Sequence, residues 1–221
     1  MNMSVPTTAT HQGLPVGRLA AYLDWVQMLT GAALILFMWS HLILVSSILL
    51  GPKVMNGLAW FFEATYMAQV GGPLIFLAFL VHFALAARKI PFATKEQRLM
   101  LANAKRMRHP DTWLWIVQAT TAMGILIMGG IHMWVILTNL PITAEKSAAR
   151  IQTGFWFVFY LFLLPMVELH VGIGFYRILV KWGFLDRSGR WAIKKKENLL
   201  TAIFIAVGLL SLLRYYFLPL Q

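Results

Sequence analysis

Five long apolar runs constrain this chain more than any other feature of its sequence. They lie roughly at residues 24–50, 71–88, 113–139, 154–180 and 199–218. A helix needs about 20 apolar residues to cross the hydrocarbon core of a bilayer. Only 12% of the 221 residues are charged, whereas soluble domains carry about 25%. The sequence therefore predicts an all-α membrane protein, a single membrane domain over residues 1–221 built as a bundle of five transmembrane helices.

The basic residues are concentrated in two of the four connections between these runs. Of the 19 Lys and Arg residues, 13 lie in residues 88–108 and 181–196, which fall on one side of a five-span chain. The positive-inside rule then predicts a cytoplasmic N-terminus and a periplasmic C-terminus. Residues 1–20 lack the pattern of a cleavable signal and are expected to form a short inner tail. Since the net charge of +11 sits in membrane loops, we expect contacts with anionic lipid or a partner protein, and no nucleic acid.

Four of the six histidines fall one in each of the first four runs, at His41, His82, His132 and His170. One such histidine is often only an interhelical hydrogen bonder, but each carries a burial cost. Counted from the ends of the runs, His41 and His132 belong to the outer half of the membrane and His82 and His170 to the inner half. A four-histidine zinc site needs all ligands at one level. The sorting instead fits two bis-histidine haem groups stacked across the bilayer, and the absence of cysteine excludes covalent c-type haem.

Polar residues at the ends of the runs lie where haem propionates would turn. Gln27, Trp115 and Lys181 lie at inner ends, and Arg150 lies at the outer start of the fourth run. The alternative is that Trp115 and Lys181 are ordinary interface anchors, which the sequence alone favours. Small residues that would let a haem edge approach lie one turn from three of the histidines: Ala78, Ala86, Gly129 and Gly174.

Two acids lie at unusual places in this apolar sequence. Glu168 precedes His170 by two residues, about 200° around a helix, so the two side chains face different neighbours. It either passes protons between redox centres or is a neutral acid bonded to a carbonyl such as that of Leu161, freed by the nearby proline. Glu63 lies in the aromatic-rich segment 57–73, and is either a base for a hydroquinone or an exposed loop glutamate.

The chain resembles the dihaem cytochrome b subunit of quinol:fumarate reductases, of the single-polypeptide, five-span kind from anaerobic bacteria. The resemblance covers nearly the whole chain and rests on three spacings: Glu63 22 residues after His41, His132 50 residues after His82, and Glu168 two residues before His170. It implies that His41 and His132 bind the iron of an outer, distal haem b. It likewise implies that His82 and His170 bind the iron of an inner, proximal haem b.

The resemblance also implies roles for the other polar residues. Contacts with proximal haem propionates are implied for Gln27, Trp115 and Lys181, and one with a distal propionate for Arg150. Where the family pattern has a serine after the glutamine, this chain has Met28. Glu63 would accept protons from menaquinol, and Glu168 would serve a transmembrane proton pathway together with a propionate of the distal haem.

The expected protein is the membrane anchor and electron conduit of a menaquinol:fumarate oxidoreductase, in the inner membrane of an anaerobically respiring cell. Its expected partners are an iron–sulfur subunit on the basic inner loops and a flavoprotein subunit, with a dimer of such heterotrimers as a further assembly. Close relatives run the reaction in reverse as succinate:menaquinone reductases. Dihaem anchors of hydrogenases or formate dehydrogenases are the alternative among redox proteins. A haem-free transporter whose histidines and Glu168 relay protons is the alternative from another class.

Overall fold

The structure, a computed structural model, describes residues 17–186 and 188–220. No strand occurs within those residues, and a series of α-helices follows in order: α1 (Arg18–Ser46), α2 (Pro52–Ala64), α3 (Gly72–Ala87), α4 (Thr94–Met107), α5 (Pro110–Leu137), α6 (Ala144–Gln152), α7 (Phe155–Lys181) and α8 (Arg190–Tyr216). The predicted inner tail up to residue 16, with His11, lies outside the described residues. So does Arg187 in the second basic connection.

Five helical segments are long and apolar enough to cross a membrane: α1, α3 together with the π-helical segment that precedes it, α5, α7 and α8. The predicted all-α, five-span architecture is thereby confirmed. A 3-10 turn, Ser47–Leu50, extends α1, and a π-helical segment, Met67–Gly71, precedes α3. The apolar run of α8 begins near residue 199, but the helix begins at Arg190. The intervening residues are mostly good helix formers such as Lys, Glu and Ala, so the helix continues into polar sequence.

The outward faces of the long helices carry large apolar side chains. Leu36 and Ile43 on α1 are 64% and 66% exposed, and Ile127 on α5 is 63% exposed. A soluble monomer rarely exposes so much contiguous apolar surface, whereas lipid tails solvate it at no cost. The bundle therefore presents a surface suited to a hydrocarbon environment.

A core of buried apolar side chains lies at one end of the bundle. The 3-10 turn after α1, the two short helices α2 and α6, and the end of α8 meet there. Their buried apolar side chains form a single cluster of Ile48, Met55, Ala144, Ala148, Ile151, Leu212, Tyr215 and Leu218. The connections between α1 and α3 and between α5 and α7 converge on this cluster, which we call the outer cap because the sequence predicts this side to face outward.

Polar contacts join the two short helices of the outer cap. The Asn56 side chain accepts a hydrogen bond from Ala144 N–H at 2.7 Å and donates to the Glu145 carboxylate at 3.1 Å. The Glu145 backbone N–H and the Asn56 amide hold the pKa of the Glu145 carboxyl below its ordinary value. Thr143 caps the N-terminus of α6 by accepting from Lys146 N–H, as a threonine commonly does. These bonds fix α6 against α2.

Small residues let α7 and α8 pack closely. Gly172 of α7 lies against the side chains of Glu197 and Thr201 on α8, and Gly208 of α8 lies against Leu164 on α7. Small residues at helix crossings are the usual means by which membrane helices approach one another, since their association depends on packing and interhelical hydrogen bonds. The α7–α8 pair is thus a tight interface, in contrast to the interior next to it.

Candidate functional site

A cavity of about 960 Å³ occupies the interior between the long helices. All four histidines of the predicted spans line it, on α1, α3, α5 and α7. Its remaining walls are mostly aliphatic and aromatic, and the outer cap closes one end with Met55 and Tyr215. A volume near 1,000 Å³ is at the upper end of the range for pockets that hold cofactors or drug-sized ligands. The cavity is therefore large enough for a bulky, apolar cofactor.

The two outer histidines face each other across this cavity. The ring centres of His41 on α1 and His132 on α5 are 6.0 Å apart, with the ring planes at 87°. One metal ion bound by two imidazole nitrogens at about 2 Å each places the ring centres roughly 6 Å apart. The Nδ1 of His132 lies 3.0 Å from the Tyr160 hydroxyl. The distance between the two rings is therefore compatible with one metal ion between them.

The two inner histidines are each held by a neighbouring helix. The Nδ1 of His82 on α3 lies 3.0 Å from the carbonyl oxygen of Gln27 on α1. The Nδ1 of His170 on α7 lies 3.0 Å from the carbonyl oxygen of Gln118 on α5. A carbonyl oxygen only accepts, so each Nδ1 carries the proton and each Nε2 keeps its lone pair. Metal-binding histidines commonly have this arrangement.

No cluster of three or more His, Asp or Glu side chains arranged to hold a metal ion occurs in residues 17–186 and 188–220. The four histidines therefore do not converge on one point there. Within these residues at most two histidines lie close enough to bind one metal ion, and the chain has no cysteine to supply thiolates. Imidazole ligands suit haem iron.

Glycines and alanines make room beside the histidines. A Cβ on Gly31 of α1 would lie 2.9 Å from Cε1 of His82, and one on Gly174 of α7 would lie 3.1 Å from the Gln118 side-chain nitrogen. Of the four small residues predicted to admit a flat macrocycle, Ala86, Gly129 and Gly174 line the cavity and Ala78 does not, and Gly31 joins them. Sequence reasoning missed Gly31 because it lies on a different helix from the histidine that it adjoins. These residues fit a haem.

A group of charged residues lies at the inner end of the cavity. Asp24 on α1 is paired with Lys89 at 2.7 Å, with Lys181 at 2.7 Å and with Arg88 at 3.3 Å. Lys89 also donates to the Gln27 side-chain oxygen at 3.0 Å. One carboxylate surrounded by three cations leaves an excess of positive charge, which attracts anionic groups such as propionates.

All four residues predicted to contact haem propionates line the cavity. Gln27, Trp115 and Lys181 line its inner part, and Arg150 of α6 lines its outer part together with Tyr160. Sequence reasoning missed Asp24, Lys89 and Arg177. The sequence did contain a signal for two of them, because Lys89 and Arg177 each lie seven residues after a histidine of a span.

Glu63 lies in α2, in the outer cap. Its side chain is partly buried, and its Oε1 accepts a hydrogen bond from Ile142 N–H at 2.5 Å. Its neighbour Phe62 and its partner Ile142 line the cavity. The acid is therefore a helical residue with a fixed carboxylate beside the outer end of the cavity, and it is not an exposed loop residue.

Glu168 is buried in α7, where its side chain is 7% exposed and lines the cavity. Among the hydrogen bonds formed by the described residues, none involves its carboxyl group, so the predicted bond to the Leu161 carbonyl is not formed. A second buried acid, Glu197 on α8, was missed by sequence reasoning. It pairs with Lys194 and accepts from the Thr201 hydroxyl at 3.0 Å.

The sequence of this chain was compared with those of known protein families and known proteins. Residues 94–213 match the family described as succinate dehydrogenase/fumarate reductase transmembrane subunit. The fumarate reductase cytochrome b subunit of Wolinella succinogenes is 36% identical over 207 residues, which cover 88% of this chain and 81% of that protein. The fumarate reductase cytochrome b subunit of Helicobacter pylori strain 26695 is 35% identical, over 90% of this chain and 81% of that protein.

Proposed function

This chain belongs to the succinate dehydrogenase/fumarate reductase transmembrane subunit family, and from that premise we propose that it is the membrane anchor and electron conduit of a fumarate reductase. It crosses the inner membrane several times and holds haem b. The relatives that are about a third identical over most of both chains carry the name cytochrome b subunit. Haem b, when bound, supplies reversible one-electron transfer.

The single observation that carries the proposal is the placement of four histidines, one from each of four helices, around one cavity. We propose two haem b groups, an outer one held by His41 and His132 and an inner one held by His82 and His170. The 6.0 Å between the outer ring centres supports the first pair. Support for the second pair comes from the matched 3.0 Å contacts at Nδ1, which leave each Nε2 able to bind iron.

The chain's own residues would hold and orient these groups. Aliphatic and aromatic walls exclude water from the cavity, so charge inside it is poorly screened. Lys181 and Lys89 at the inner end balance anionic propionates, and the amide side chain of Gln27 and the indole of Trp115 offer hydrogen bonds. Arg150 and Tyr160 offer the same at the outer end.

Two carboxylates are proposed to move protons. Menaquinol loses two protons with its two electrons, and Glu63 is proposed to accept one at its Oε2. Its Oε1 is already occupied by Ile142 N–H, so the carboxylate is oriented with the second oxygen available. Glu168, buried and without a side-chain hydrogen bond in the described residues, is proposed to carry a proton across the middle of the membrane.

The inner face is proposed to dock the soluble partners, an iron–sulfur subunit and through it a flavoprotein. The exposed basic residues of α4, Lys95, Arg98, Lys105 and Arg106, provide charge for an acidic surface. A succinate:menaquinone reductase running in the opposite direction uses the same parts, and a dimer of heterotrimers stays a prediction.

Histidine substitutions test the proposed function. Replacement of His41 or His132 by Ala should remove the same b-type component from the reduced-minus-oxidised spectrum of the purified complex. Replacement of His82 or His170 should remove the other component. Each variant should fall from two haem groups per chain to one, because losing one of two ligands to an iron leaves the second site untouched.

His109→Ala is the matched control, since His109 lies at the N-cap of α5 outside the cavity and its loss should spare both components. The pairing is wrong if His41→Ala and His82→Ala remove the same component. Absence of any b-type band from the unaltered complex would end the haem assignment.

A further inference from the structure

The five-residue pattern V-Q-x-x-T occurs twice in this chain, at residues 26–30 of α1 and at residues 117–121 of α5. Each copy lies against one inner histidine, the first against His82 and the second against His170. The two helices run beside different partners, α3 and α7. The recurrence therefore suggests that the same arrangement of groups is made twice around one inner site.

In the first copy, two polar groups of α1 meet the histidine of α3. The Thr30 hydroxyl donates to the carbonyl of Val26 at 2.8 Å, which leaves its oxygen free to accept. The Nδ1 of His82 lies 3.2 Å from Thr30 Oγ1 and 3.0 Å from the Gln27 carbonyl oxygen. One N–H is thus shared between two acceptors.

In the second copy, α5 meets the histidine of α7 in the same way. The Thr121 hydroxyl donates to the carbonyl of Val117 at 2.8 Å. The Nδ1 of His170 lies 3.2 Å from Thr121 Oγ1 and 3.0 Å from the Gln118 carbonyl oxygen. All three distances agree with those of the first copy.

The likeness extends to the glutamine side chains. Lys89, seven residues after His82, donates to the Gln27 side-chain oxygen at 3.0 Å. Arg177, seven residues after His170, donates to the Gln118 side-chain oxygen at 2.9 Å. Each glutamine side chain accepts a hydrogen bond from a cation that follows the partner histidine, Lys89 in the turn after α3 and Arg177 within α7, which keeps the glutamine's backbone carbonyl in register with the histidine.

The outer histidines lack this arrangement. The Nδ1 of His132 meets the Tyr160 hydroxyl, which both donates and accepts and so does not fix the tautomer. No hydrogen bond of His41 occurs among those of the described residues. The shared acceptors are therefore a property of the inner pair.

We infer that Thr30 and Thr121 are matched positioning residues for the inner haem. With the glutamine carbonyls, they hold His82 and His170 as Nδ1–H tautomers and strengthen the Nε2 donor of each. The inference rests on the proposed function for the identity of the bound group. A histidine that donates its second N–H to an acceptor is the more basic ligand, and a more basic ligand favours ferric over ferrous iron. The hydroxyls therefore lower the midpoint potential of the inner haem.

Valine and serine substitutions separate this role from packing. Thr30→Val and Thr121→Val keep the shape but remove the acceptor, and each should move the midpoint potential of the inner haem in the positive direction in a redox titration of the purified complex. The shifts should have similar size and should add in the double variant, because both residues act on one iron. Thr30→Ser and Thr121→Ser keep the hydroxyl and should leave the potential where it was. The outer haem should not shift in any of them.

Thr138→Val is the control, since the Thr138 hydroxyl makes the same bond, to the Trp134 carbonyl at 2.8 Å, at the end of α5 and without a histidine partner. An unshifted inner potential in valine variants that keep both haem groups would overturn the inference. If the valine variants lose the inner haem, the serine variants are decisive. Serine variants that keep the haem at its original potential support the role of the hydroxyl. Serine variants that lose the haem overturn the inference, because they show that the two threonines act only by packing. Failure of the proposed function is separate, since it would appear as His82→Ala and His170→Ala removing different components.

Discussion

Glu63 and Glu168, the two acids with proposed proton roles, have contrasting surroundings at the scale of single residues. One oxygen of Glu63 is occupied by Ile142 N–H and the side chain is partly buried. Glu168 is 7% exposed, and no donor among the described residues reaches it. A buried carboxylate without a donor is poorly stabilised in its charged form. The proposed proton transfer by Glu168 rests on this burial, whereas Glu63 is held in one orientation by its hydrogen bond.

Glutamine substitutions at these acids should separate quinol chemistry from electron conduction. Glutamine keeps the size and an acceptor oxygen but cannot act as a base. We expect Glu63→Gln to lower menaquinol-linked fumarate reduction by about 10²-fold or more, the usual effect of a lost general base. Glu168→Gln should lower the same turnover in sealed vesicles. Fumarate reduction driven by a dye at the flavoprotein should be unchanged, because that route bypasses the membrane, and haem content should be unchanged too.

The ratio of quinol-driven to dye-driven activity in one preparation is the measurement. Glu145→Gln, an acid of α6 bonded to Asn56 outside the cavity, is the control and should leave the ratio unaltered. An equal fall in both activities would indicate misassembly. Full quinol-driven activity in Glu63→Gln would make that acid structural, and full activity in Glu168→Gln would remove it from the proton path.

At the scale of elements, the α7–α8 interface is a close helix contact near the cavity. A methyl group on Gly172 would overlap the carboxylate of Glu197 and the hydroxyl of Thr201. Those two oxygens are themselves hydrogen-bonded at 3.0 Å, and Glu197 is also paired with Lys194. The glycine thus lets α8 bring a buried polar group against α7.

Gly172→Ala should force α7 and α8 apart or break the polar group. Overpacking of this kind costs about 1–3 kcal/mol, so the variant should lose its bound haem absorbance at a lower temperature than the unaltered complex in the same detergent. Gly130→Ala is the matched control on α5, where no atom lies within 4 Å of the new methyl group. In a helix interior, alanine is favoured over glycine by about 0.5–1 kcal/mol, so the control should melt at the same or a higher temperature. An unchanged melting temperature of Gly172→Ala would show that the interface accommodates the extra methyl group without loss of stability.

The sequence predicted the long helices well and the short ones poorly. Long apolar runs decide membrane spans by length alone, so five spans follow directly. The helices α2, α4 and α6 depend on local signals too weak to stand out between spans. For α6 the fixing contact is Asn56, which lies far away in the chain. The start of α8 at Arg190 was likewise not predicted, because hydropathy locates the part of a helix that lies in the bilayer and not the residue at which the helix begins.

Part of the candidate site could also be predicted from the sequence. Histidines in apolar runs stand out because burial is costly, and the depth argument places them in pairs. The partners that hold them could not be predicted, because a contact such as that between His82 and Thr30 joins residues 52 positions apart. Such contacts depend on how two helices are rotated against each other. The repeated V-Q-x-x-T pattern was not recognised from the sequence, and it gains a meaning only because the structure places each copy beside a histidine.

At the scale of the whole molecule, the charge distribution predicts the orientation in the membrane. The chain has no cysteine, so single cysteines can report it. Lys53→Cys in α2 and Arg106→Cys in α4 each replace one exposed cation, on opposite predicted sides. In intact spheroplasts a membrane-impermeant maleimide should label Lys53→Cys, and it should label Arg106→Cys only after permeabilisation. The reverse pattern would invert the proposed topology and place the basic loops outside.

The cavity has a consequence for how the protein is made. Its walls come from α1, α3, α5 and α7 together, so the group that fills it supplies contacts that these helices do not make with one another. Anything that binds only the folded chain raises its stability, by about 4 kcal/mol at a thousandfold excess over the dissociation constant. The cofactor therefore acts as a part of the hydrophobic core that is added after the chain has been made. We expect the cellular amount of this subunit to follow the supply of its cofactor, so that biosynthesis of the pigment regulates the abundance of the respiratory complex.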